Sequence, residues 1–389
     1  MTRVNRRRFI KTSGLGAGAS LAVTELPLAA QQAQRVTPAP ASASEVRLSG
    51  DGLGLTPSEY VSLLARLVEE QGLTPDSYAI GGVVEQLETE LARALGKERA
   101  VFMPSGTLAN HLGIRALAGG SGRVVVQEES HLYQDEGDCA QTLSSLTLMP
   151  LGAGQASFTE ADLDRVLATT RTGRVRRPVR VLSLESPVRR RLGEVFDPAE
   201  RDRLVARATR EGIRLHLDGA RMFIEAAYRQ VSVAELARPF ETVYVSLYKY
   251  FNAASGAVLA GPSALLEDMF HERRMFGGGV YQAWPSAVVA LDGFRGFDAR
   301  YRRAVEESET FIRTLTTHDA FAVDRVAGGT NLFRLRVRGT DPATLRGRLA
   351  AQDIHLPAPA ATGAFVLAVN ETLLRRPAGT LAAAFVDAL

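Results

Sequence analysis

Short apolar runs recur through the first three quarters of the chain, and an amphipathic stretch separates most of them. "RAVFMPSG" stops at Pro104, Ser105 and Gly106, and "TLANHLGIRALAG" follows with helical spacing, opened by Thr107 and closed by Gly119. "GRVVVQEES", "RVLSLES", "IRLHLDGA", "ETVYVSLY" and "GAVLAG" read as further strands, while "TEADLDRVLATT" and "PAERDRLVARATREG" read as helices. Upstream, "EYVSLLARLVEEQ" and "GVVEQLETELARALG" also carry apolar residues at helical spacing. Apolar strands alternating with helices predict an α/β fold with a mainly parallel sheet covered on both faces. From about Asp298 the texture changes. A long helix, "YRRAVEESETFIRTLTTH", leads into "TNLFRLRVRG", "DPATLRGRLAAQ" and "GAFVLAVN". That order predicts a large part over residues 45–297 and a small C-terminal α+β part over 298–389. No internal repeat is visible.

Charge is distributed unevenly. Residues 1–44 carry six cations against Glu25, a net of +5, and subtracting that from the chain's +3 leaves −2 for the rest. The body is nearly neutral, which gives no charge argument for nucleic acid. The basic "NRRRFIK" precedes the weakly apolar "TSGLGAGASLAVTELPLAA", with small residues at Ala29 and Ala30. This arrangement reads as a cleaved signal peptide, and the paired arginines resemble the twin-arginine export signal. The other reading is an untargeted basic tail. The apolar stretch is too short and too rich in glycine for a stable membrane span. "QQAQRVTPAPASAS" reads as a flexible linker. The expectation is therefore periplasmic export by the twin-arginine machinery, which carries proteins already folded. Cys139 is the only cysteine, so no disulfide forms within the chain.

In parallel sheets, ligands gather at the carboxyl ends of the strands. Those ends supply Ser105, Gly106 and Thr107, then His131, then Ser186 and Arg189–Arg191, then Asp218 and Arg221, and finally Lys249. Taken singly, each has an ordinary structural reading. Ser105 suits a helix cap, Asp218 a turn, Arg221 a surface ion pair and Arg189–Arg191 a solvated charge run. Lys249 differs because lysine is rare here. The chain has three, and Lys11 lies in the signal while Lys97, in "LGKERAV", reads as solvated. Lys249 alone follows a buried strand. A guanidinium does not readily deprotonate, so arginine cannot take the place of an amine in imine chemistry, whereas a lysine with a lowered pKa can attack an aldehyde.

A lysine, an aspartate, a flat histidine and a helix N-terminus together suit pyridoxal phosphate. The chain resembles the threonine aldolase / β-eliminating lyase family of fold-type I pyridoxal-phosphate enzymes. The resemblance is carried by "YAIGGVVEQLETELARALGKERAVFMPSGTLAN", "ESHLYQDE", "HLDGARMF", "SLYKYFNAASGAVLAG" and "RRMFGGGVYQAWPSAVVAL", in that order. It implies the aspartate aminotransferase type of fold with a seven-stranded sheet. It also implies that Lys249 bonds the cofactor and Asp218 pairs with the ring nitrogen, while Arg221 lies near the phenolate oxygen. Ser105, Gly106 and Thr107 would hold the phosphate, and His131 would stack on the ring and assist proton transfer. Ser49, Arg274 and Tyr281 would face the substrate. The implied reaction is retro-aldol cleavage of a β-hydroxy-α-amino acid to glycine and an aldehyde, in a homodimer or homotetramer. β-Elimination, racemisation or binding without turnover are alternatives on the same scaffold.

The chain departs from the family pattern in places. Tyr248 and Tyr250 flank the lysine, where a small residue and a glycine are usual, and Tyr281 replaces an arginine. The C-terminal arginine expected for a substrate carboxylate is missing from "TGAFVLAVNETL", which leaves Arg375, Arg376 or Arg189–Arg191 as substitutes.

Overall fold

The computed structural model describes residues 44–175 and 177–389, so the signal expected over residues 1–43 lies outside the described residues. The described chain opens on a two-residue strand, β1 (Val46–Arg47), and then builds a seven-stranded sheet. In chain order its strands are β2 (Arg99–Met103), β3 (Gly122–Gln127), β4 (Leu146–Leu151), β5 (Val179–Glu185), β6 (Arg214–Asp218), β7 (Thr242–Ser246) and β8 (Ala257–Gly261). In space they run β2-β8-β7-β6-β5-β3-β4. All pairings among β3 to β7 are parallel, whereas β8 is antiparallel to both β2 and β7.

The central strands carry apolar residues toward both faces because both faces are covered, and their buried polar residues, such as Glu185, His216 and Asp218, are hydrogen-bonded. On β2, Ala100 and Phe102 face the core of the helices Gly82–Leu95 and Trp284–Phe294, while Val101 and Met103 face the helix Gly106–Ala118. β4 contains Pro150, which donates no ladder hydrogen bond, and the strand lies at the sheet edge where that is tolerated.

A second core surrounds a three-stranded antiparallel sheet of order β12-β10-β9, with β9 at Phe321–Arg325, β10 at Leu332–Val337 and β12 at Phe365–Ala368. Leu335, Phe365 and Leu367 meet Phe311 and Phe385 from two helices there. Val46 and Leu48 belong to this core, because β1 pairs in parallel with β11 (Ile354–His355). Residues 45–48 therefore pack with the C-terminal part and not with the large part expected from the sequence. The helix Phe297–Leu315 likewise serves both cores. Phe297 and Tyr301 are buried in the first, while Phe311 and Leu315 are buried in the second. Among the described residues, no helix is long and apolar enough to cross a membrane.

Candidate active site

The carboxyl ends of β2, β3, β5, β6 and β7 open on one edge of the sheet, and side chains capable of chemistry collect there. Lys249 follows β7 by three residues. Its backbone is held from three sides. Leu247, Tyr250 and Phe251 are fully buried, and the rings of Tyr250 and Phe251 pack on Phe223 and Phe297. Asn252 adopts φ 60° and accepts a hydrogen bond from the Leu53 N–H at 2.7 Å. Gly52 lies so close that a Cβ there would sit 2.3 Å from the Lys249 carbonyl oxygen. The amine points over the rings of Tyr244 and Tyr248, 5.8 and 5.5 Å from their centroids. Burial, assisted by the nearby Arg221 charge, pushes its pKa down to about 8, against the opposing pull of Asp218, Asp51 and Glu185. Lys97, expected to be solvated, is half-buried and donates to the Phe240 carbonyl at 2.5 Å. That leaves it tied to the fold, with Lys249 as the amine at the site.

Asp218 ends β6 and is buried. Its Oδ1 accepts from the Ala220 N–H at 3.1 Å and its Oδ2 from Asn110 Nδ2 at 2.7 Å. His131 begins the short helix His131–Gln134, capped by Ser130. Its backbone N–H donates to Glu185 Oε2 at 2.6 Å, and its Nδ1 lies 2.9 Å from Glu136 Oε1. The hydrogen bond to Glu136 raises the His131 pKa against the effect of burial. Burial raises the pKa of Glu136 as well. Glu185, at the end of β5, also accepts from the Arg189 N–H at 2.9 Å, and burial beside Asp218 raises its pKa. His131, Glu136 and Asp218 each bring an atom within 4.8 Å of the others.

Ser105 caps the helix Gly106–Ala118 by accepting from the Leu108 N–H at 3.2 Å. The N–H groups of Gly106 and Thr107 precede the first intrahelical bonds and suit an anion. A Cβ on Gly106 would lie 2.0 Å from Tyr244 Oη, so only glycine lets this helix end approach β7. Arg221 donates from Nε to Asp51 at 2.8 Å, and Asn331 donates to the other Asp51 oxygen at 3.2 Å. Asp51 thus ties the N-terminal segment to the Asp218 turn and to the second core.

These residues fit pyridoxal phosphate. They offer an amine of lowered pKa, a buried carboxylate held in place, a planar side chain and a helix end with unclaimed N–H groups. The remaining expectations separate from this cluster. Arg274 stacks over Tyr78 at 4.4 Å, and Tyr281 meets the same ring edge-on at 5.4 Å, forming a patch of their own. Ser49 is exposed, and its carbonyl accepts from Asn370 at 3.3 Å. Arg375 and Arg376 donate to the carbonyls of Glu45 and Ser44, so neither is the substitute clamp that the sequence suggested. Arg190 pairs with Asp135 and Arg191 with Glu194. Tyr250 is wholly buried in the aromatic core, which removes it from substrate contact, whereas Tyr248 is 45% exposed. Sequence reasoning passed over Asp51, Asn110, Glu136 and Glu185. Glu185 carried the same signal as Asp218, an acid closing an apolar strand.

Known proteins give the cluster a context. Residues 70–337 match the family model described as beta-eliminating lyase. A low-specificity L-threonine aldolase from Candida albicans is 29% identical over 210 residues, covering 53% of this chain and 55% of that protein. One from Escherichia coli O157:H7 is 26% identical over 285 residues, covering 73% and 83% respectively. The chain spans about half the length of the first curated relatives that it matches, 55% and 53%. Among solved structures, a Listeria monocytogenes protein assigned as an L-allo-threonine aldolase superposes with a TM-score of 0.72 at 26% identity, covering 90% of this chain and 98% of that one. The Leishmania major threonine aldolase, at 15% identity and a TM-score of 0.65, shares the fold. Since the family model spans well over half of the sequence, and the cluster lies on the strand ends within that span, the chain belongs to the beta-eliminating lyase family.

Proposed function

We propose that this protein is a pyridoxal-phosphate-dependent lyase that splits the Cα–Cβ bond of a β-hydroxy-α-amino acid, in the manner of a threonine aldolase. The observation that carries the reading is Lys249: an amine whose pKa is pushed down to about 8, on the same strand edge as the buried Asp218. When bound, pyridoxal phosphate supplies an electron-accepting ring for the pair released at Cα.

The chain's own residues do the rest. Lys249 would hold the cofactor through its aldehyde carbon and is the amine that the substrate would displace. Asp218, held by the donors Asn110 and Ala220, would pair with the ring nitrogen. Gly106 and Thr107, at the start of their helix, would hold the phosphate through their N–H groups. His131 has Nδ1 engaged by Glu136, which leaves Nε2 to take the proton of the substrate β-hydroxyl. A positioned base of this kind is typically worth ~10²–10⁴ in rate. Arg189 follows the Glu185 turn, and its exposed side chain has no hydrogen-bond or ion-pair partner among the described residues. We assign it to the substrate carboxylate. Tyr248 borders an open cleft of about 490 Å³ with Leu55, Pro57, Tyr60 and Val61, which suits a β-substituent larger than methyl. Export rests on "NRRRFIK" and the weakly apolar stretch that follows it. We assign the patch formed by the exposed Tyr281 and Arg274 and the half-buried Tyr78 to contact with a second copy.

The test is a purified sample offered L-threonine, L-allo-threonine and a β-phenyl analogue. Cofactor absorbance lost in Lys249→Ala, with aldehyde and glycine released in equal amounts, is expected. A cofactor-loaded protein releasing neither aldehyde nor ammonia would show a binding protein instead.

A further inference from the structure

One amide joins the two acids of the site. Asn110 lies on the helix Gly106–Ala118 and is completely buried. Its Nδ2 donates to Glu136 Oε1 at 2.9 Å and to Asp218 Oδ2 at 2.7 Å. Ionised carboxylates only accept, so the amide can sit one way round and its Oδ1 must receive a proton. The donor is His216, whose Nε2 lies 3.0 Å away. With Nε2 carrying the hydrogen, His216 Nδ1 accepts from Thr242 Oγ1 at 2.8 Å. A neutral ring is required, and burial pushes the His216 pKa down to about 4. Every hydrogen in the series Thr242, His216, Asn110, then Glu136 with Asp218, is thereby assigned.

The helix is shaped around this series. A Cβ on Gly113, one turn beyond Asn110, would come within 2.9 Å of His216 Cε1. An asparagine with all its polar atoms committed to the site adds nothing to the helix itself. Its desolvation is offset only by those bonds.

We propose that Asn110, oriented by His216 and Thr242, is a positioning residue that holds Asp218 and Glu136 as one hydrogen-bonded unit and, through Glu136, decides which nitrogen of His131 is open to take a proton. The inference rests on the proposed reaction, which gives Asp218 and His131 their tasks. The charged or titratable groups facing the unit among the described residues are Glu185, Lys249, Arg221, Tyr244, Tyr250, Asp135 and Cys139. All remain when Asn110 is altered, so a change in the unit is read against a constant background.

The experiment uses the holoenzyme and four variants: Asn110→Ala, Thr242→Val, His216→Leu and His216→Gln. Cofactor dissociation is measured by equilibrium titration with pyridoxal phosphate, and aldehyde release is followed from pH 5 to 9. Hydrogen bonds to charged groups are the strong ones, so Asn110→Ala should weaken cofactor binding by ~10-fold or more. Removing a donor from an anion raises its proton affinity. The His131–Glu136 pair should then release its proton at higher pH, moving the acid limb of kcat/KM upward by about one unit. His216→Leu and the near-isosteric Thr242→Val should shift it the same way by less. His216→Gln keeps a donor near the Nε2 position and should stay within about twofold of the unaltered protein. A role in packing alone would lower activity equally at every pH. An unshifted acid limb with unchanged cofactor affinity in Asn110→Ala overturns the inference, as does identical behaviour of the Gln and Leu variants. Should Asn110→Ala fail to fold, Thr242→Val and the His216 pair decide the question. An unaltered protein that takes up no cofactor would instead overturn the proposed reaction.

Discussion

The depressed pKa of Lys249 sets how much of its amine is free to react. An ordinary lysine titrates near ~10.4, so at pH 7 about one amine in 2,500 is free to attack. With the pKa pushed down to about 8, roughly one in ten is free, a gain of roughly 200-fold in reactive amine. The assay is covalent capture of pyridoxal, which lacks the phosphate and so reports the amine, by cofactor-free protein between pH 6 and 11. Adducts are fixed with borohydride and located by mass. Few lysines compete: beyond the first 43 residues the chain has Lys97 and Lys249 only. Labelling at Lys249 should rise with pH and reach half its limit near pH 8. Arg221→Met removes the cation that disfavours a second positive charge and leaves Asp51 without its guanidinium. Both changes favour protonation, so the midpoint should climb by about one unit and the rate at pH 7 should fall about tenfold. Asp218→Asn should move the midpoint down, because Asp218 favours the charged amine. A midpoint at or above pH 10 in the unaltered protein, or one indifferent to Arg221→Met, would refute the reasoning.

Two further outcomes concern stability. Gly106→Ala forces a Cβ to 2.0 Å from Tyr244 Oη, and Tyr244 is too buried to swing away; urea unfolding should show a loss of ~1–3 kcal/mol, partly restored by Tyr244→Leu, and an unchanged midpoint would sink the account of that close approach. Burial raises the Glu88 pKa to about 7, above its unfolded value of ~4.3, so its contribution is full below pH 4 and is lost as pH rises through 7. Glu88→Gln retains an acceptor for the Phe102 N–H and should add ~1–2 kcal/mol at pH 8.5 and nothing at pH 4; an equal effect at both values would count against it.

Much of this architecture was legible because strands buried on both faces are written as unbroken apolar runs. Strand direction is not written that way, and β8, antiparallel to its neighbours, looks like any other run. β4 escaped notice because Pro150 interrupts it, and β9 because its residues are half polar. Lys249 and Asp218 stood out as charged residues closing apolar strands. Asn110 and Glu136 did not, since a polar residue within a helix or turn gives no sign of burial until the helix meets the sheet. The tie from Asp51 to Arg221 spans 170 residues, and no local pattern encodes it.

The packing of the N-terminal segment has a consequence for synthesis. Leu48 receives a hydrogen bond from the Ala368 N–H, and Arg47 and Thr372 bond across 325 residues. The same segment carries Gly52 and Leu53 onto the loop that holds Lys249. On the ribosome, residues 46–53 must therefore wait for residues 368–372 before they are secured. The lysine loop gains its full support only once residues 368–372 have been made, so the braced site cannot capture its cofactor on a shorter nascent chain.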